Sequence, residues 1–105
     1  METILVISTL PDREQAEKLA RVLIDQQLAA CVNILPNATS VYRWQGTVET
    51  ASETIMLIKT TLARYGALEA AIKMHHPYQL PEIIAVPLSA GLPAYLQWIK
   101  NETEL

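Results

Sequence analysis

The sequence predicts an α+β domain, an antiparallel sheet with helices on one face and a central hairpin too long for the body that carries it. Three observations predict it. Short runs of Ile, Val and Leu alternate with segments whose apolar residues recur at helical spacing. Two strand-like segments, 29–44 and 47–60, are joined by Gln45-Gly46 alone, a hairpin-turn pair. The 105 residues, half of them apolar, suit a single domain spanning 1–105 with one core.

Each element has its own reason. Thr3 to Ser8 is an Ile/Val-rich run and reads as a buried strand. Asp12 is placed to cap a helix, with Gln15 three residues on. Ala16, Leu19, Ala20, Leu23 and Ile24 then form one apolar helix face. The second strand runs from Ala29 through Cys31 and Leu35. Pro36 marks an edge or a bulge because it has no N–H for a ladder, and the strand resumes through Val41, Tyr42 and Trp44. The third strand, Thr47 to Thr60, is apolar on both faces at Ile55-Met56-Leu57-Ile58, as a central strand should be. A second helix is expected from Leu62 to His75, stopped by Pro77. Pro81 to Pro87 reads as the fourth strand. Gly91 to Lys100 reads as a short closing helix with Leu92, Tyr95, Leu96 and Ile99 on one face.

The order is β-α-β-β-α-β, the ferredoxin-like order, followed by an extra C-terminal helix. Two helices cover one face of such a sheet, and no further element is long enough for the other. A 14-residue strand reaches ~46 Å, whereas a 16-residue helix spans ~24 Å. The hairpin should overhang its own helices, and a free overhanging arm invites pairing with another chain. A closed homo-oligomer is therefore expected.

Composition narrows the function. The net charge is −3, and the eight basic residues are scattered. That disfavours a nucleic-acid partner, whose affinity comes from clustered positive charge. The RNA-binding variant of this strand order also needs aromatics on the first and third strands. Those strands read Ile4-Leu5-Val6-Ile7 and Ile55-Met56-Leu57-Ile58. Cys31 is the single cysteine, so no intrachain disulfide is expected. The start, METILVIST, opens into a strand rather than a secretory signal, and no apolar run reaches the ~18 residues of a membrane span. No membrane partner is expected, and a cytoplasmic location is. No G-x-S-x-G, H-E-x-x-H or C-x-x-C occurs, and the three glycines are isolated, so a binding protein is expected rather than an enzyme.

His75-His76-Pro77-Tyr78 is the most distinctive string. Imidazoles are common ligands of borderline metals, and histidines also suit the negative end of a helix. Cys31 is either a soft third ligand or a small buried hydrophobe. Lys59, Tyr78, Glu82, Trp44 and Trp98 are the candidate lining of an adjoining ligand pocket, with Tyr42 and Tyr95 as further aromatics that suit a cleft or an interface.

Several separate strings, in order, resemble one family over nearly the whole chain. They are Thr9 to Asp12, Leu28-Ala29-Ala30-Cys31-Val32-Asn33, Val41-Tyr42-Arg43-Trp44-Gln45-Gly46, Ile58-Lys59-Thr60, His76-Pro77-Tyr78, Pro81-Glu82-Ile83-Ile84 and Tyr95-Leu96-Gln97-Trp98. The resemblance is to the CutA divalent-cation-tolerance proteins. It implies a ferredoxin-like subunit in a tight homotrimer, similar in architecture to the PII signalling proteins, and a role in tolerance to copper and other divalent cations. It implies metal binding by His75 and His76. Copper-binding members add a first-strand cysteine where this chain has Ser8, and Gln79 stands where the family often has glutamate. The expected function is a trimer whose clefts receive a divalent cation, copper included, or a small ligand. The alternative is a trimeric sensor or scaffold without a functional metal site.

Overall fold

In the computed structural model, which describes residues 2–104, β1 (Thr3–Leu10) is the second strand in from one edge of a four-stranded sheet. The sheet order is β2 (Cys31–Trp44), β3 (Thr47–Thr61), β1, β4 (Ile83–Pro87), and every neighbouring pair is antiparallel. This is the expected α+β, ferredoxin-like order.

α1 (Arg13–Asp25) begins where Asp12 accepts the Gln15 N–H at 2.8 Å, and the Gln15 amide bonds back to the same carboxylate at 2.9 Å. One of the helix's otherwise unpaired backbone N–H groups is thereby satisfied, and the side-chain bond fixes the cap. Ala16, Leu19, Ala20 and Leu23 are buried from its apolar face. Ile24, expected with them, stands at the rim and is exposed. α2 (Tyr65–His75) follows a three-residue 3-10 turn, Leu62–Arg64, so the regular helix starts later than its apolar spacing suggests. Leu68 and Ile72 of α2 join Ile4, Val6, Met56 and Ile58 of the sheet in the core.

β4 is shorter than expected because its ladder with β1 stops at Ser8↔Ile83. One residue further, the Thr9 carbonyl is already taken by His76. α3 (Pro93–Glu102) starts two residues later than expected, with Pro93 in the first turn, where its missing N–H costs nothing.

The expectation that nothing in this chain covers the second sheet face is corrected in part. α3 packs against β3 and β1 there, burying Ile99 completely and placing Tyr95 near Lys59. Ten residues cover one end only. Ile84, Val86 and Leu35 remain exposed. Of the closing helix's four expected apolar contacts, Ile99 alone is fully buried; Leu92 and Tyr95 are exposed.

The long hairpin is present. β1 pairs no further along β3 than Thr54, so β2 and β3 continue alone from Ala38↔Glu53 to Trp44↔Thr47. At the root of this arm Pro36 and Asn37 form a bulge, with Asn37 at φ 66°, and the register shifts between Leu35 and Ala38. At the tip, Gln45 (φ 50°) and Gly46 (φ 84°) make the two-residue turn that matches strand twist. The arm stretches the molecule to 44 Å along its longest axis.

Candidate functional site

The segment from His76 to Glu82 links α2 to β4 and closes against the root of the arm. Pro77 forces His76 out of the helix, and its backbone is extended at φ −88°, ψ 134°. This turns the two histidines apart. His75 ends α2 with its side chain exposed. His76 points inward: Nε2 donates to the Thr9 carbonyl at 2.7 Å, and Nδ1 accepts the Tyr78 N–H at 3.2 Å. A carbonyl only accepts and a peptide N–H only donates, so both bonds together require the neutral Nε2–H tautomer.

Tyr78 stacks at 4.8 Å and 53° on the His76 ring, and its hydroxyl donates to Glu53 Oε2 at 2.8 Å. Burial raises the Tyr78 phenol above its ordinary range, and the Glu53 carboxylate beside it adds to the effect. The phenol stays neutral and remains a donor. The sequence Thr9–His76–Tyr78–Glu53 thus ties β1, the connecting segment and β3 together.

Between this tie and the arm lies a groove of about 770 Å³, lined by Thr9, Tyr42, Trp44, Glu53, Tyr78 and Glu82 among others. Trp44, Tyr78 and Glu82 are gathered as expected. Lys59 and Trp98 are not. Lys59 donates to Asn33 Oδ1 and lies 6.0 Å from the Tyr95 ring, which packs 5.5 Å from Trp98. The five expected pocket residues therefore divide between the groove and the α3 end of the sheet. The reason is the register: Lys59 is six residues, about 20 Å, along β3 from Glu53.

Cys31 also lies apart. It is opposite Lys59, four residues along β3 from Ile55, the partner of Thr9, or about 13 Å. It is half-buried rather than the fully buried hydrophobe of the alternative reading. Ser8 is fully buried between Met56 and Ile83 in the ladders, and its hydroxyl has no partner among the described residues. Among the described residues no three His, Cys, Asp or Glu side chains stand close enough to share an ion. Glu53 is the residue that sequence reasoning missed. Its pairing with Tyr78 spans 25 positions and left no local signal.

Residues 4–102 match the family described as CutA1 divalent ion tolerance protein. The divalent-cation tolerance protein CutA of Thermus thermophilus is 44% identical over 103 residues, covering 98% of this chain and 99% of the relative. The crystal structure of CutA from Xylella fastidiosa superposes with a TM-score of 0.95 at 48% identity, covering 99% of this chain and 100% of that one. CutA1 from Oryza sativa superposes at 0.96 with 42% identity, covering 99% and 95%.

Proposed function

This chain belongs to the CutA1 divalent ion tolerance family, and on that premise we propose that it is a homotrimeric binding protein that takes a divalent cation, copper included, at His75. The carrying observation is the position of His75: an exposed imidazole on the last residue of α2, next to the segment that bounds the groove. Imidazole suits Cu(II) and similar borderline ions, and the carbonyls that end a helix favour positive charge. His76 joins only by giving up Thr9 and Tyr78, and Cys31 stands too far along the sheet to close the set. The ion is ligand or cargo here, not the centre of a reaction. The trimer, PII-like in outline, is supported by the apolar residues left open on the arm and the second sheet face.

Calorimetric titration with Cu(II) tests the cation site. His75→Ala should abolish the binding heat of the wild type, whereas His76→Ala should retain most of it. Equal affinity in wild type and His75→Ala removes the site. A second reading, a trimer that senses a small molecule, is favoured by the groove itself.

A further inference from the structure

A ring of three cannot close through one surface meeting itself, because a self-complementary contact makes pairs. Each subunit of the proposed trimer must therefore present two different patches that fit each other. The arm is one of them. Val41 and Val48 are exposed there, and Arg43, directly opposite Val48 in the register, shares their face. The Arg43 side chain is exposed and makes one long bond, from Nη1 to the Gly46 carbonyl at 3.4 Å. No other basic residue lies on the arm.

The matching patch needs a recess and negative charge, and both meet at the root of the arm. The groove there is lined by Glu53 and Glu82, with Arg43 as its only basic residue. Glu53 is 8% exposed in the single chain, and assembly can only bury it further. Its carboxylate accepts from the Tyr78 hydroxyl, a neutral donor. A buried carboxylate is costly unless a positive charge matches it. Arg43 of the same chain is out of reach, five residues or about 17 Å along the arm from Ala38, which faces Glu53. Arg43 of the partner subunit brings the same charge on an arm that has to dock somewhere.

We propose that the arm of each subunit docks at the groove of the next, with Arg43 of the partner subunit paired to Glu53. A guanidinium and a carboxylate form the strong, directional version of such a contact. The Thr9–His76–Tyr78 chain of hydrogen bonds then holds Glu53 in place on the subunit that receives the arm. The inference rests on the trimer proposed above. The docked arm takes one end of the groove, and what remains is a cleft between subunits.

The test is a double-mutant cycle on trimer dissociation. It is read by light scattering of the full chain, diluted in a fixed urea concentration below that of subunit unfolding. Arg43→Gln and Glu53→Gln, the second keeping an acceptor for the Tyr78 hydroxyl, should each raise the dissociation constant about tenfold or more. The double variant should be no weaker than the weaker single one. Sites about 17 Å apart in one chain act independently, so such coupling reports a contact between chains. Effects that multiply in the double variant overturn the proposal, as does a single variant that assembles as tightly as wild type; either result leaves the trimer itself standing. A monomeric wild type overturns the trimer and the pair together. Glu53→Asp, which keeps the charge but shortens its reach, replaces Glu53→Gln if circular dichroism shows that variant unfolded.

Discussion

The two halves of the central hairpin contrast sharply although they share the same two strands. In the body half, Met56, Ile58 and Thr60 are fully buried under α1 and α2. In the arm half, Val41 is 67% exposed and Val48 60%. Backbone pairing is continuous through both, interrupted only by the bulge at Pro36-Asn37. Hydrogen bonding therefore extends a sheet as far as two strands have residues to pair, whereas burial stops where the covering layer stops. The groove forms at the boundary, where the last residues of β1 and the segment after α2 meet the uncovered arm.

The largest test of that contrast is one substitution in each half. Ile58→Ala should cost about 2–5 kcal/mol in chemical denaturation, because it opens a cavity in a closed core. Val48→Asp should leave the secondary structure of each subunit intact by circular dichroism but break assembly. For the proposed trimer, light scattering should then fall from three times the 11.7 kDa chain mass toward a single chain. A Val48→Asp protein that stays trimeric would remove the arm from the interface.

A smaller effect lies inside the body. The buried Ser8 hydroxyl has no partner among the described residues, so Ser8→Ala should stabilise the chain by about 1 kcal/mol. A lower denaturation midpoint would show that the hydroxyl is satisfied in solution. The smallest effect lies at the surface. The Gln15 backbone N–H, with its side chain, holds the Asp12 carboxyl below its usual range. A carboxylate whose folded pKa is depressed adds stability above its unfolded pKa, and that contribution is lost as pH falls through the folded value. Asp12→Ala should thus lower the melting temperature slightly near neutrality, and the gap from wild type should close below about pH 3.8. A gap that persists in acid would assign the loss to something other than the cap charge.

Local chemistry made much of this legible. The Asp12 cap, the Gln45-Gly46 turn and the irregularity at Pro36 each depend on residues within a few positions of one another. Trp44, Tyr78 and Glu82 were also identifiable as pocket residues, since each adjoins a turn or a proline. Lys59 and Trp98 lie outside the groove: their types suit a pocket as well as they suit a packed cluster, and their place is set by the position of α3 on the second face. His76 shows the same limit. Its type and neighbours point to a metal, but both its nitrogens are spent on the backbone, one of them on a residue 67 positions away.

By itself the sequence determined the order of elements, the overlong hairpin and the family, because periodicity, caps and turns are short-range and the matching strings are many. Tertiary structure alone decided that His75 and His76 part company, that Glu53 meets Tyr78, and that α3 shields only part of the second face. Those outcomes depend on which strand positions fall opposite one another. Such juxtapositions exist only once chain segments tens of residues apart have been brought together.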